Sequence, residues 1–249
     1  MNDTGATIVA SDVREASRPT TRGAMLYDAS LAGHADESWF DPDRWRDRGS
    51  VERQAGGRGA VTFLRDDEHR WVLRHYRRGG SVARVLDDRY LFTGAARTRG
   101  FREWRLLREL AALGLPVPRP VAARYRRDGP FYRADLLTVE LPSRTTLAQA
   151  LASAPLPMQR WSDIGRGIGR FHAHGVRHAD LNAHNIVLGV ASGIHLLDFD
   201  RGRIVGRGAW EDAVLARLER SLVKVTRELP AGRYGPEQWQ CLLDACRPV

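Results

Sequence analysis

Residues 178–185 read HADLNAHN, and residues 194–200 read IHLLDFD. The first stretch has the spacing H-x-D-x-x-x-x-N, and Asp198-Phe199 begins thirteen residues after Asn185. Short apolar runs after Asn185 and before Asp198 predict two strands joined by a turn, which would bring the two side chains together. Two acids and an amide at these intervals, beside a strand hairpin, indicate a functional loop rather than an ordinary polar turn.

The residue types in this loop are suited to phosphoryl transfer with Mg²⁺. Mg²⁺ prefers oxygen ligands and accompanies phosphates, and the Asn185 amide and the Asp198 carboxylate offer such oxygens. Asp180 would then face the acceptor, orient an attacking hydroxyl and take its proton. Phosphoryl transfer requires mainly this positioning and charge neutralisation. His178 is predicted to hold the loop backbone.

A site of this kind also needs a cation on the nucleotide phosphates, yet the chain has no lysine before Lys224. Arg74 ends the last of three strands predicted between residues 50 and 76, and its charge is permanent. In the helix predicted over 99–113, Glu103 falls in the middle of the apolar face, whereas Glu109 falls on the charged side. An acid within an apolar face needs a buried partner, so the sequence predicts an Arg74–Glu103 ion pair.

Three glycines, Gly56, Gly57 and Gly59, fall in the turn of the first predicted hairpin, and Gly59 precedes Arg74 by fifteen residues. Backbone amides in such a turn can cover phosphates. Hairpin turns also use glycine routinely, so the glycines alone do not decide between the two interpretations.

The order of the predicted elements indicates an α+β fold in two lobes. Five strands and one helix predict a small N-lobe with an antiparallel sheet at residues 36–141, preceded by a tail with a possible edge strand at 1–35. A mainly helical C-lobe at 142–249 would hold the loop, a short helix from Thr145, a longer one closing near Gly175, and helices at about 209–228 and 235–246.

The bulk composition limits the possible partners. The 249 residues carry a net charge of +9, no apolar run of membrane-spanning length, and no apolar signal-peptide core at the N-terminus. An excess of base suggests an anionic partner such as nucleic acid, a phosphorylated lipid or an acidic membrane face, although a solvated basic surface without a partner is equally compatible. No nucleic-acid motif accompanies the charge, so a nucleic-acid partner is not predicted.

Taken together, these residues resemble the protein-kinase-like fold: a glycine-rich hairpin, a cation on strand three, a helix acid, the H-x-D-x-x-x-x-N loop and D-F-x. The chain departs from the protein-kinase pattern in having Arg74 for the lysine and Asp200 for the glycine of D-F-G. Only 49 residues follow Asp200, which leaves little room for a peptide-binding region. These departures favour a small-molecule or lipid-linked acceptor, and Asp200 puts the flexibility of the loop in doubt.

A narrower resemblance covers nearly the whole chain. The segments that carry it are WFDPDRW at 39–45, LRHYRRGG at 73–80, FREWRLLREL at 101–110, GLPVPRPVAA at 114–123, HADLNAHNIVL at 178–188, HLLDFDRGR at 195–203 and RLERSLVK at 217–224. In these segments the chain is similar to the bacterial 3-deoxy-D-manno-octulosonic acid (Kdo) kinases. That family is related to the lipopolysaccharide core heptose kinases. The resemblance implies transfer of the ATP γ-phosphate to the 4-hydroxyl of Kdo on Kdo-lipid IV-A. It also implies peripheral attachment to the anionic cytoplasmic face of the bacterial inner membrane. No obligate protein partner is apparent from the sequence.

The same resemblance implies a role for each matching residue. Asp180 would be the catalytic base, and Asn185 and Asp198 would be the Mg²⁺ ligands. Arg74 would bind the ATP phosphates with Glu103 as its partner.

The resemblance also implies which backbone segments would contact the nucleotide. Gly56, Gly57 and Gly59 would cover the phosphates, and the backbone around Glu140, at the junction of the predicted lobes, would meet adenine. The basic runs at 77–80 and 201–203 are candidate acceptor contacts.

Alternative interpretations remain open at this point. The same catalytic residues would serve a kinase of a core heptose or of an aminoglycoside-like molecule. A non-catalytic, kinase-shaped binding module is the alternative from another class, although such proteins usually lack one of the three residues Asp180, Asn185 and Asp198. Nucleic-acid binding rests on charge alone.

Overall fold

A computed structural model describes residues 13–31, 35–47, 49–56, 59–77, 88–190 and 193–247. The chain divides into two compact units. The sheet unit comprises the described residues up to Gly114 together with Arg119–Val139, and the helical unit comprises Leu115–Pro118 and the described residues from Glu140 onward. No helix in the described ranges combines the length and the apolar character that crossing a membrane requires.

Within the described residues, eight strands of the sheet unit form one antiparallel sheet. Its order is β1-β2-β7-β8-β5-β4-β3, and β6 pairs with β8. The strands are β1 (Glu15–Thr20), β2 (Gly23–Asp28), β3 (Ser50–Gly56), β4 (Gly59–Arg65), β5 (Arg70–His75), β6 (Tyr90–Leu91), β7 (Pro120–Asp128) and β8 (Phe131–Val139).

The sheet is larger than the five strands that the sequence predicts. The hairpin of β1 and β2 extends the sheet beyond β7 from a segment predicted as a tail with a possible edge strand, and the two-residue β6 is a further addition. The unit also contains a 3₁₀ turn at Glu37–Phe40 and a short helix, α1 (Pro42–Arg46), besides the one helix predicted. Asp41 caps α1 by accepting a hydrogen bond from the Asp43 amide.

The predicted long helix of this unit is α2 (Arg99–Ala112), and it ends at the cap residue Leu113. It buries one face, which contains Phe101, Glu103, Trp104, Leu107 and Leu110. Spacings of three and four residues place these side chains on one side of a helix. The prediction that an acid lies within this apolar face is therefore confirmed, because the Glu103 side chain is only 2% exposed.

Three tryptophans, from the 3₁₀ turn, from α1 and from β5, pack against one another in the core of the sheet unit. The ring centroid of Trp71 lies 4.9 Å from that of Trp39 and 5.2 Å from that of Trp45. Trp45 also donates its ring N–H to the Trp39 carbonyl oxygen at 3.1 Å. The WFDPDRW segment thus forms part of the core that holds the strand carrying Arg74.

The helical unit begins with α3 (Leu147–Ser153), which has a reciprocal capping box between Thr146 and Gln149. Three longer helices follow: α4 (Met158–Ala173), α5 (Trp210–Thr226) and α6 (Pro236–Cys246). Small strand pairs are formed by β10 (Ile186–Leu188) with β11 (Ile194–Leu196), and by β9 (Val176–Arg177) with β12 (Arg203–Ile204).

Helices α4 and α6 approach closely because α4 has glycine at the contact. A Cβ atom added to Gly165 would lie 2.2 Å from the carbonyl oxygen of Leu242. The side chains of Trp161, Ile164, Ile168 and Phe171 of α4 are essentially fully buried. The helical unit therefore has its own core, on which the HADLNAHN loop rests.

Candidate active site

In the sheet unit, Arg74, Tyr76 and Glu103 form one polar cluster. Arg74 donates from Nη2 to Glu103 Oε2, so the predicted ion pair is present. The Tyr76 hydroxyl donates to the same oxygen at 2.7 Å and accepts from Arg74 Nη2 at 3.2 Å. Burial, and then the negative charge of Glu103, raise the pKa of Tyr76 well above its ordinary value, so its hydroxyl remains protonated and a donor.

This cluster fixes a cation in a defined position. Arg74 lies in β5, where it pairs with Val61 of β4 and with Leu136 of β8, so its backbone has a neighbouring strand on both sides. Its side chain is 24% exposed, whereas that of Glu103 is 2% exposed. A guanidinium anchored by a buried carboxylate, but still partly open to solvent, is suited to binding phosphate oxygens.

The glycine-rich hairpin is described only in part. The strands β3 and β4 pair as far as Gly56 with Gly59. Gly57 lies outside the described residues. Of the predicted basic loop at 77–80, Arg77 is described and exposed, and the rest lies outside the described residues.

In the helical unit, His178 holds the HADLNAHN loop through both ring nitrogens. Its Nε2 donates to the Leu197 carbonyl oxygen at 2.8 Å, and its Nδ1 accepts from the Asp180 amide at 3.2 Å. Burial lowers the pKa of His178, so the neutral ring with its proton on Nε2 satisfies both bonds. The predicted structural role of His178 is confirmed.

Leu197 connects this loop to Asp198. Its amide donates to the Asn185 carbonyl oxygen at 2.9 Å, while its own carbonyl accepts from His178. The Asn185 side chain donates from Nδ2 to the Asp180 carbonyl oxygen at 2.9 Å. The loop, Asn185 and the residue preceding Asp198 are therefore joined by hydrogen bonds.

The backbone of Asp198 adopts an unusual, left-handed conformation. Its φ is +64°, the only positive φ at a non-glycine residue within the described ranges. Such a conformation is costly for a side-chain-bearing residue and is concentrated at functional sites. The next residue, Phe199, anchors the segment: its ring lies 5.9 Å from Phe171 and 4.7 Å from His178 between centroids.

The Asp180 carboxylate is bound by an arginine that the sequence analysis did not assign. Arg217 of α5 donates from Nε to Asp180 Oδ1 at 2.7 Å and from Nη2 to the same oxygen. Asn182 adds a weaker bond from Nδ2 at 3.3 Å. The one available signal was that Arg217 opens the RLERSLVK motif, but nothing in that motif indicates Asp180 as its partner.

Glu140 was predicted near adenine on resemblance alone. Its side chain is 7% exposed and accepts from Arg144 Nε at 2.7 Å, four residues along the chain. This pair belongs to the helical unit. The predicted role concerned the backbone at this position, and it stays a prediction.

The donor set is compatible with Mg²⁺ held jointly with phosphate. Because the Asn185 Nδ2 atom is engaged with the Asp180 carbonyl, its Oδ1 atom is the remaining donor for a cation. No group of three or more His, Cys, Asp or Glu side chains within the described ranges could bind a metal by itself. One amide and one carboxylate are few protein ligands, as is usual for Mg²⁺ when phosphates and water supply its other ligands.

Comparison with known proteins identifies the family. Residues 42–245 match the family described as "Lipopolysaccharide kinase (Kdo/WaaP) family". A protein of Xanthomonas campestris pv. campestris (strain B100), named 3-deoxy-D-manno-octulosonic acid kinase, is 45% identical over 225 residues, which cover 88% of this chain and 89% of that protein. Proteins of the same name from Xanthomonas axonopodis pv. citri (strain 306) and Xylella fastidiosa (strain M23) are 44% and 42% identical, over 88% and 89% of this chain and 89% and 90% of their own length. The chain belongs to the lipopolysaccharide kinase (Kdo/WaaP) family.

Proposed function

We propose that this chain transfers the γ-phosphoryl group of ATP to the 4-hydroxyl of the Kdo sugar of Kdo-lipid IV-A. The observation that carries the proposal is the 45% identity, over 88% of the chain, to a protein named 3-deoxy-D-manno-octulosonic acid kinase. The geometry supports a catalytic protein rather than a binding module, because Asp180 and Asn185 lie on one loop and Leu197, the residue preceding Asp198, is hydrogen-bonded to that loop.

In this proposal Asp180 is the catalytic base. The acceptor hydroxyl oxygen forms a bond to the γ-phosphorus, the bond from that phosphorus to the β–γ bridging oxygen breaks, and the hydroxyl proton passes to the Asp180 carboxylate. His178 fixes the loop on which Asp180 lies. Arg217 binds Oδ1, so the direction of the carboxylate is set before the acceptor arrives.

Arg74 would bind an oxygen of the ATP phosphates, and Glu103 and Tyr76 would keep its guanidinium in place. Gly56, Gly57 and Gly59 would cover the phosphates, and the backbone around Glu140 would meet adenine. Asn185 and Asp198 would hold Mg²⁺, which when bound supplies charge neutralisation on the phosphates.

The acceptor also suggests where the protein works. Kdo-lipid IV-A is an acidic glycolipid, and we place this chain at the cytoplasmic face of a bacterial inner membrane as a peripheral protein. The net charge of +9 supports that placement, because an anionic surface attracts basic residues by about 1 kcal/mol for each one near it.

A direct transfer assay tests the function. Purified protein with Mg²⁺ and ATP in detergent would be offered Kdo-lipid IV-A, a heptosylated core acceptor and an aminoglycoside, with products read by mass spectrometry and Asp180→Asn as the control. We expect one added phosphate on the Kdo acceptor, absent with the control. Phosphate on another acceptor alone would overturn the choice of substrate, and ATP binding without any transfer would favour the binding module.

A further inference from the structure

Two arginines lie directly opposite each other beside the catalytic loop. In the pairing of β9 with β12, Arg177 is opposite Arg203, and Val176 is opposite Ile204. Residues directly opposite on antiparallel strands project on the same face, with Cβ atoms about 5 Å apart. Val176 is buried, so the two arginines share the other face of the ladder, and both are exposed.

Within the described part of the chain, neither arginine has a carboxylate partner. Arg177 and Arg203 have no hydrogen bond or ion pair to any side chain of the described ranges, whereas Arg207 pairs with Glu211 and Arg217 with Asp180. Like charges placed directly opposite on a strand pair destabilise it. The two-residue ladder therefore carries an unfavourable charge pair that an anion would relieve.

The backbone maintains this arrangement. The Val205 amide donates to the Gly175 carbonyl oxygen at 2.8 Å, and a Cβ added to Gly175 would lie 1.9 Å from the Val205 carbonyl oxygen. Gly175 also has φ of +68°, so other residues would be strained there. On the side of β12 nearer Asp198, the Gly202 amide closes a turn by donating to Phe199 at 2.8 Å. The close pairing of the two strands is thus built into the chain.

The pair also lies close to the proposed base. Arg177 is three residues before Asp180, and three residues extend over at most about 11 Å. An arginine side chain adds several ångströms to this range. An anion bound by Arg177 and Arg203 could therefore belong to the same acceptor molecule as a hydroxyl at Asp180.

We propose that Arg177 and Arg203 together bind an oxyanion of the acceptor and so orient the hydroxyl that is phosphorylated. This inference rests on the proposed function. Two guanidinium groups present paired donors that match a carboxylate or a phosphate. The acceptor offers both, in the acid group of the sugar and in the phosphates of its lipid.

The test compares Arg177→Gln and Arg203→Gln with Arg227→Gln, which removes an exposed arginine beyond the end of α5 in the same unit. Each variant is assayed for kcat and for KM with ATP and with Kdo-lipid IV-A. We expect the acceptor KM to rise about tenfold or more in the first two variants, since each loses charge-assisted hydrogen bonds to the acceptor. The KM for ATP should stay unchanged, and the control should match wild type. A wild-type acceptor KM in both variants would overturn the inference.

Altered acceptors identify the anion. Acceptor with the sugar carboxylate converted to an amide, and acceptor with the lipid phosphates removed, would each be compared with the unaltered glycolipid. The group that Arg177 and Arg203 bind is the one whose removal raises the wild-type KM but has no further effect in the two glutamine variants.

A binding measurement keeps this inference separate from the proposed function. At constant ionic strength, inorganic phosphate should raise the Tm of the wild type and of Arg227→Gln more than that of Arg177→Gln or Arg203→Gln. If the wild type phosphorylates no Kdo acceptor, the proposed function fails. The change in Tm with phosphate then decides by itself whether Arg177 and Arg203 form an anion site. An equal phosphate response in all four proteins would then overturn the arginine pair as an anion site.

Discussion

Arg217 binds one oxygen of Asp180 through two nitrogen atoms, Nε at 2.7 Å and Nη2. The two residues lie 37 positions apart, one on helix α5 and the other on the HADLNAHN loop. Both side chains are partly exposed, at 42% and 30%, so the pair contributes little to stability. Its effect is expected on the direction of the Asp180 carboxylate.

Replacing Arg217 should therefore impair turnover more than folding. We expect Arg217→Ala to lower kcat by about tenfold or more, with Tm close to that of the wild type, because the carboxylate loses its fixed orientation. Arg217→Lys should recover part of kcat, since an ammonium can make one of the two bonds. Steady-state kinetics with thermal melts measures both, and a wild-type kcat in Arg217→Ala would exclude the orienting role.

Asp180→Asn should abolish transfer and leave ATP binding largely intact. The amide is isosteric with the carboxylate but cannot take the hydroxyl proton, and a general base contributes about 10²–10⁴-fold to rate. Single-turnover transfer and ATP titration measure the two properties separately. Asp244→Asn, which changes an exposed carboxylate on α6, is the matched control. Normal turnover by Asp180→Asn would refute its assignment as the base.

Glu103→Ala should destabilise the sheet unit as well as reduce ATP use. It removes the carboxylate oxygen that accepts from both Arg74 and Tyr76. Loss of one partner of a buried pair costs about 3–5 kcal/mol, and the partial exposure of Arg74 favours the lower end. Urea unfolding would be compared with Glu109→Ala on the exposed side of the same helix, which should change stability by about 0.5 kcal/mol or less. Equal stability of the two variants would contradict the contribution assigned to the cluster.

Stability should also depend on pH through His75 and Asp135. The hydrogen bond with Asp135 at 2.6 Å raises the pKa of His75 above its ordinary value near 6.5. Burial raises the pKa of Asp135, but the hydrogen bond with His75 and the charge of Arg124 outweigh it, so the net shift is downward. The contribution of protonated His75 is therefore fully present below about pH 6.5 and is lost as pH rises through its raised pKa.

The measurement is the free energy of unfolding from pH 5.5 to 9 for wild type and His75→Gln. The difference between the two proteins should shrink as pH rises. Buried histidines with a lowered pKa, such as His178, act in the opposite sense and destabilise the fold as pH falls, so only this difference isolates His75. A difference that does not change with pH would contradict the role of the charged pair.

Local sequence pattern and elementary chemistry were sufficient to predict the ion pair between Glu103 and Arg74. Helical periodicity placed the acid within an apolar face, and the cost of a buried charge required a cation. His178 was likewise predicted from its place at the head of the loop. Each of these inferences starts from a single residue that its local pattern singles out, although the partner lies elsewhere: Arg74 is 29 positions from Glu103, and Leu197 is 19 positions from His178.

Other features could not be read from the sequence. Strand β1, EASRPT, is mostly exposed and contains a proline, so no alternation of apolar residues marks it as a strand. The contact of Arg217 with Asp180 depends on how α5 packs against the loop, which periodicity along α5 does not specify. The opposition of Arg177 and Arg203 depends on strand register, and strands of two residues carry no pattern that fixes it.

The arginine at position 74 also changes how this protein responds to chemical labels. Acylating nucleotide analogues and other amine-directed reagents act on a lysine ε-amine, and a guanidinium does not offer that nucleophile. The only ε-amine of the chain is Lys224, which is exposed on α5. Such reagents would therefore leave the Arg74 cluster unmodified, and profiling methods that detect kinases by a labelled lysine would overlook this enzyme. As the one lysine of the sequence, Lys224 is also a defined ε-amine attachment point for a fluorophore or a surface linkage.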